Sequence, residues 1–542
     1  MTHSLDAIDW LIIALYCVGL LAMAAWLSRR QFDREDYYVG GRDVGPWPVG
    51  LSVMATQCST NSILGAPAFV AFAAGGGLVW LQYELAVPLA MIVLMLFMMP
   101  IFRHLQLVSV YAYLEQRFDL PTRLTLSGLF LFVRAFATAV TVYSVAIVID
   151  LITGLGFFGA VLLLGVFTVV YDVLGGIRGV IYSDVLQLLI LVVMLIVVLV
   201  SLITAVGGLE ALWSNFPEER RVTLDFSSHG LGDGETFAFW PMLLGGLFLY
   251  VSYYGCDQSQ VQRQLSSRSI DGTNQALLIN GFLRFPLVLL YCLVGAGIAV
   301  YASQHPEFIE ALPVRGDTPE YNLSVPLYMI NALPVGLVGL SLVALFAAAM
   351  SSLDSVLNSL SATTMEDFVR RFYRGEWSAM RELWISRLLT ALWGLVTLTM
   401  AFFVGDIAPT VLEAINKVGS LANGPILAVF ALGFLVPRVR GPQAICGFLA
   451  GIGLNGMCWL FLPEVSWLWW NVFGFMLAFL LALLLSHFTV SAPAANHSSV
   501  EVYEAAAKRV LTEEARINWY RRVVWLIFWF VALFLLLFAL NA

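Results

Sequence analysis

Charge is scarce in this chain. Asp, Glu, Lys and Arg make up 12% of its 542 residues, where a soluble domain carries about 25%. Cysteine is scarce too. The six present (Cys17, Cys58, Cys256, Cys292, Cys446 and Cys458) all fall in apolar segments and none forms a CxxC pair. That excludes a disulfide framework and a cysteine zinc site, and the six read as small packing residues. The six histidines (His3, His104, His229, His305, His487, His497) lie in loops or at the ends of apolar runs. With no metal-ligand cluster, no nucleotide loop and no nucleophile–histidine pair, neither an enzyme nor an organic cofactor is expected, and no nucleic-acid partner either.

What is present in excess is apolar sequence. Hydrophobic residues make up 60% of the chain, mean hydropathy is +0.85, and long apolar runs recur from end to end. This predicts an all-α polytopic membrane protein. The first run, Ala7 to Leu27, has acidic residues before it and Arg29-Arg30 after it. That is the reverse of a signal peptide, so it is taken as a span. Fourteen spans are expected, near 7–28, 47–73, 79–102, 124–152, 157–175, 179–206, 238–261, 273–302, 325–358, 383–405, 408–436, 441–463, 466–487 and 521–541.

The formal net charge of −8 conceals a marked asymmetry. Most of the Lys and Arg fall in alternate loops: Arg29, Arg30, Arg34 and Arg42; Arg103, Arg117 and Arg123; Arg178; Arg263 and Arg268; the cluster from Arg370 to Arg387; Arg438 and Arg440; and Lys508 to Arg522. The opposite loops hold only Arg220, Arg221 and Arg315. The positive-inside rule makes the first side cytoplasmic and puts both termini outside. Short loops suggest a bacterial inner membrane. Segment 488–520 reads as a polar helix in a cytoplasmic linker. Charges also fall inside spans: Arg134, Arg284, Lys417, Glu84, Asp172, Asp184, Asp257, Asp354 and Glu413. Such groups face a partner or a water-filled cavity.

Two spans are interrupted. SVMATQCSTNSILGAP (52–67) and LYVSYYGCDQSQVQR (249–263) each set polar residues in an apolar run. They are the second and seventh spans, five apart, and five intervals reverse orientation. An inverted repeat of five spans each would give this pattern, with a substrate site at the midplane where discontinuous helices expose backbone groups. The expected organisation is an extra helix and loop over 1–46, a first repeat over 47–206, an outer loop over 207–237, a second repeat over 238–436, two accessory helices over 437–487, the linker over 488–520 and a last span over 521–542. In the ninth span, Ser351, Ser352, Ser355, Asn358 and Ser359 recur at helical spacing around Asp354, while Ala347, Ala348 and Ala349 allow close helix approach. Hydroxyl and carbonyl oxygens suit a hard cation such as sodium.

Four motifs carry a resemblance. GGIRGVIYSDVLQ (175–187), MSSLDSVLNSLSATTMEDF (350–368), DQSQVQRQLSSRS (257–269) and SVYAYLEQRF (109–118) resemble signatures of the sodium/solute symporters. That family includes the sodium–glucose, sodium–iodide, multivitamin, monocarboxylate, proline and sialic acid cotransporters. The resemblance implies a leucine-transporter-like fold of two inverted five-helix repeats. It also implies one sodium ion held by the carbonyls of Ala55, Cys58 and Ala348 and the hydroxyls of Ser351 and Ser352. A second sodium would use Asp184, Ser351 and Ser355, and this chain departs by placing Asp354 there. The positions matching the sugar-binding residues of the family are Glu84, Asp257, Arg284 and Asn416. Ser62 replaces a sugar-contacting Gln, Lys417 adds charge, and Tyr253 and Tyr254 are candidate gate aromatics. The implied activity is sodium-coupled symport of a sugar, a polyol or a small carboxylate by a monomer or loose homodimer. The alternatives are proton coupling, through Asp354, and a transporter-like sensor or channel. A family-like sensor would append a soluble signalling domain, and the chain ends in a span.

Overall fold

The computed structural model describes residues 5–58, 60–315, 318–373, 375, 377–404, 411–488 and 515–541. Almost everything in it is helix. Ten helices among the described residues are long and apolar enough to cross a bilayer, and two shorter apolar helices lie at Ser62–Phe72 and Gly419–Leu435. Helix α1 (Ala7–Ser28) and the short α2 (Arg34–Val39) precede the first broken segment, α3 (Pro46–Gln57) and α4 (Thr60–Phe72). Helix α5 (Leu78–His104) starts as a 3-10 turn over Leu78–Leu85. After α6 (Ala112–Arg117) comes α7 (Leu120–Thr153).

Two of the expected spans, 157–175 and 179–206, form one 50-residue run, α8 (Gly156–Ala205), broken at Gly176 (φ 54°, ψ −162°). Only glycine fits there. A Cβ on Gly176 would lie 2.8 Å from Tyr37 Cδ2 and 2.9 Å from the Tyr37 carbonyl, and the positive φ is itself disfavoured for other residues.

The second broken segment is α9 (Gly246–Cys256) and α10 (Gln258–Leu265). Then come α11 (Ile270–Gln304), α12 (Ser324–Ala332) and α13 (Leu337–Thr363), so the expected ninth span is two helices with a turn between them. Helices α14 (Ala379–Val404), α15 (Val411–Leu435), α16 (Gly441–Phe461), α17 (Trp467–Phe488) and α18 (Ala515–Leu540) complete the chain. The linker expected over 488–520 lies mostly outside the described residues.

Helix α11 lies against both halves of the first broken segment. Gly50 of α3 meets the Ala276 carbonyl, and Gly295 of α11 meets the Pro67 carbonyl of α4. At either glycine an added Cβ would be 2.8 Å from that oxygen. Small residues allow this close approach, as in other membrane helix pairs. The outer surface carries Phe132, Leu189, Leu388, Leu460 and Phe461, all more than half exposed, as lipid contact requires.

The arginine-rich face is closed by ion pairs. Arg34 contacts Glu366 and lies 3.4 Å from Glu382, and Arg123 bridges Glu115 (2.7 Å) and Asp367 (Nε to Oδ1, 2.9 Å). On the opposite face Asn541, just beyond α18, accepts from the Thr223 and Leu224 N–H groups at 2.9 and 3.2 Å.

Candidate functional site

The first interruption is a true break. Helix α3 ends at Gln57, and Cys58 (φ −82°, ψ 66°) leaves the helix with its N–H returned to the Ala55 carbonyl at 2.9 Å. A helix that ends here leaves carbonyls without intrahelical partners. The polar residues of the stretch divide in two directions. Gln57 and Ser62 line a cavity of about 1080 Å³. Ser52 and Thr56 point away from it, Ser52 donating to Asp184 Oδ2 at 2.6 Å and Thr56 standing 3.3 Å from the Ser355 hydroxyl of α13.

On α13 the Ser351 and Ser352 hydroxyls both reach the Ala348 carbonyl, at 3.2 and 3.3 Å. Ala55, Cys58 and Ala348 are buried, and α3 touches α13 where Thr56 meets Ser355, so the residues implied for a first sodium stand on two helices in contact.

The second interruption falls at Asp257 (φ −89°, ψ 124°), between α9 and α10. Its Oδ1 accepts from the Ser259 N–H at 2.8 Å, capping α10. Its Oδ2 pairs with Arg134 of α7. The Arg134 guanidinium also lies 5.2 Å from the Tyr253 ring centre. Both members of the pair line the cavity.

So do Glu84 and Arg284. Arg284 Nε donates to Glu84 Oε2 at 3.1 Å, its Nη1 donates to Cys58 Sγ at 3.0 Å, and Tyr250 OH donates to Glu84 Oε1 at 3.2 Å. Glu84 is fully buried and the Arg284 side chain is 7% exposed, whereas the Arg134 side chain is 24% exposed. The cavity continues past an aromatic group, Phe69, Trp80 and Phe237, toward Pro319–Asn322 and the turn before Trp467, in the arginine-poor loops. Tyr254 is not part of its wall. It is fully buried and donates to Gln57 Oε1, while Tyr250 and Tyr253 face the space. The side chains of Asn416 and Lys417 lie outside the described residues.

The residues implied for a second sodium are close together but already engaged. Arg263 Nε donates to Ser52 at 2.8 Å and lies 3.4 Å from Asp184 Oδ2, and its Nη2 donates to Ser355. Asp354 accepts from Tyr171 and, at 3.4 Å, from Ser183. Asp172 is fully buried beside the Asn358 amide of α13 and makes no ion pair among the described residues. Arg263 corrects the sequence reading. Counted there as a loop cation, it is fully buried, because α10 folds back between α3 and α13 with all eight of its residues buried. Its signal was its place in the QVQRQL motif. Arg134 was visible only as an intramembrane charge, with nothing to say that it met the cavity.

Similarity to known proteins gives the family and the fold. The sodium:solute symporter family matches residues 37–451. The sodium-dependent multivitamin transporter of Oryctolagus cuniculus is 30% identical over 83% of this chain and 70% of its own length. The sodium/sialic acid symporter NanT of Aliivibrio fischeri is 29% identical over 94% and 99%. Among solved structures, a substrate-bound, outward-open Na+-coupled sialic acid symporter superposes with a TM-score of 0.79 at 24% identity, covering 90% of this chain and 99% of that one. The nucleobase-cation-symport-1 transporter Mhp1 gives 0.57 at 15% identity, covering 86% and 98%. The fold is therefore leucine-transporter-like, and the chain belongs to the sodium:solute symporter family.

Proposed function

We propose that this sodium-coupled symporter carries a small organic acid that also bears hydroxyl or amide groups, and that it holds one sodium ion between Ala55, Cys58, Ala348, Ser351 and Ser352. The observation that carries the reading is the cavity wall. There the accessible pair Arg134–Asp257 and the buried pair Glu84–Arg284 face one space beside the break at Cys58. A carboxylate can compete with Asp257 for the planar guanidinium of Arg134, and Asp257, Glu84 and Ser62 remain as acceptors for the rest of the solute. A plain polyol would hydrogen-bond Asp257, Glu84 and Ser62 and is the weaker reading, since it carries no charge to take the place of Asp257 on the Arg134 guanidinium.

The sodium reading rests on oxygen chemistry. Carbonyls at the C-terminal end of α3 carry the negative end of its dipole, and the α13 hydroxyls add neutral oxygens. An ion shared between α3 and α13 stabilises the arrangement in which both helices supply ligands, and any solute that prefers that arrangement then binds more tightly in sodium. Each ion entering the cell contributes about 2.3 kcal/mol per 100 mV of membrane potential. A second ion at Asp184, Asp354 and Ser355 would have to displace Arg263 from Ser355, which favours one ion over two. The arginine-rich face is read as cytoplasmic, so the cavity opens outward and both termini lie outside the cell.

Thermal stability of the purified protein, measured with a panel of sugars, polyols and small carboxylates in sodium and in choline buffer, tests this. Mass action makes a true ligand raise the melting temperature. A shift with acids that requires sodium supports the reading. A shift with neutral sugars moves the solute class to polyols. Sodium failing to exceed choline at every concentration removes the sodium cage and leaves a proton at Asp354 as the coupling ion.

A further inference from the structure

We propose that Arg284 is a positioning residue that ties the solute cavity to the helix break at Cys58, so that events at Glu84 change sodium affinity through the Arg284–Cys58 contact. The inference rests on the reading of Cys58 as part of the sodium cage.

Three observations carry it. First, Arg284 lies in the cavity wall, whereas Cys58 does not and is fully buried behind it. Second, one guanidinium makes both contacts, Nε to Glu84 Oε2 at 3.1 Å and Nη1 to Cys58 Sγ at 3.0 Å. The group is planar, so its nitrogens move together. A solute that draws Nε away from Glu84 must also change the donor offered to the thiol. Third, α11 is anchored on both sides of the break. Ala276 packs on Gly50 of α3, Gly295 packs on Pro67 of α4, and Arg284 falls between these two anchors on the same helix. The break is therefore the compliant point between two close contacts, and the thiol at that point is held by Arg284. Cys58 has non-helical backbone angles, so the orientation of its carbonyl depends on what fixes the residue.

The coupling is a free energy shared between two places, so it is measurable from the sodium side alone. The experiment is a double-mutant cycle on the full-length protein with sodium chloride as the probe, against choline chloride at constant ionic strength. It reads the sodium concentration at half-maximal thermal stabilisation for the unaltered protein, Glu84→Gln, Cys58→Ala and the double variant. Cys58→Ala keeps the backbone carbonyl and removes only the thiol. Each single substitution is expected to raise the midpoint about fivefold, a typical coupling factor, and the double variant is expected to be no weaker than either single. A merely structural role would lower the melting temperature and leave the midpoint in place. Midpoint changes that multiply in the double variant, or no change with Cys58→Ala, overturn the inference while the sodium reading stands. An unaltered protein with no sodium midpoint at all overturns both. Cys58→Ser, which restores an acceptor, is expected to return the midpoint to within about twofold of the starting value. If the Glu84→Gln protein does not fold, Arg284→Lys takes its place in the cycle with the same expectation.

Discussion

At the break between α3 and α4 the Cys58 N–H returns to the Ala55 carbonyl, and the Cys58 thiol accepts from Arg284, a residue of another helix. At the break between α9 and α10 the gap is closed from within, by the Asp257 carboxylate capping α10 and pairing with Arg134. The surroundings differ as well. Behind the first break Asp172, Asp184 and Asp354 are buried with Arg263 as the guanidinium among them, whereas at the second one carboxylate meets one guanidinium. Two segments related by one structural plan thus have opposite chemistry. The first presents carbonyl oxygens and a surplus of negative charge, which suits a cation. The second presents a balanced ion pair to the cavity, which suits a polar solute.

The largest expected effect comes from the pair that joins the two regions. Glu84→Ala strands the Arg284 charge in a nearly dry site. Breaking a buried pair from one side costs about 3–5 kcal/mol, so denaturant unfolding in detergent is expected to show a loss of that size. The double replacement Glu84→Leu with Arg284→Met is expected to recover most of it. A single variant as stable as the starting protein would mean that water reaches Glu84. Next comes the second break. Asp257→Ala removes both the α10 cap and the partner of Arg134, with an expected loss of about 1–2 kcal/mol from the cap. Sodium-induced stabilisation should survive, because no sodium oxygen comes from this break. A sodium response lost together with Asp257 would erase the division between the two regions.

The first break is tested by Ser352→Ala. The hydroxyl is half-buried and, among the described residues, reaches the Ala348 carbonyl of its own helix, so the fold should tolerate its loss. The sodium midpoint is expected to rise about tenfold, the equivalent of roughly 1.4 kcal/mol. An unchanged sodium titration would take Ser352 out of the cage.

Both breaks were legible in the sequence because polar residues inside an apolar span have few physical explanations. Cys58 and Asp257 lie within the two stretches that the polar pattern marked. The hydroxyl stripe of α13 was legible for the same reason, through its spacing. Partners were not. Whether a charge pairs across 123 positions, as Arg134 and Asp257 do, depends on how α7 and α9 pack, and nothing local encodes that. Arg263 looked like a loop cation because six of the eight residues of α10 are polar, with five Gln, Ser and Arg side chains in its first six positions. Burial came from tertiary packing, with the Gln262 amide bonded to the Tyr38 carbonyl and to Asn358. Tyr253 and Tyr254 are adjacent in sequence, so they project about 100° apart on the helix, and only one of them can face the cavity. The charge pattern could not say which.

The smallest effect tests the surplus of carboxylates directly. Asp172 is buried on α8 and makes no ion pair among the described residues, and the polar group that faces it from the neighbouring α13 is the uncharged Asn358 amide. An unpaired buried carboxylate costs free energy unless it is neutralised. Asp172→Asn keeps the shape and removes the charge. In choline buffer this variant is expected to be as stable as the starting protein or more so, by about 1 kcal/mol. In sodium the difference should narrow, because a bound cation already offsets part of the negative charge behind the first break. If the asparagine instead destabilises the protein, Asp172 is held by a charged partner, and the surplus at the first break is smaller than the buried side chains suggest. If the difference is the same in sodium and choline, Asp172 does not sense the cation, and the contrast between the two breaks reduces to Asp184 and Asp354 with Arg263.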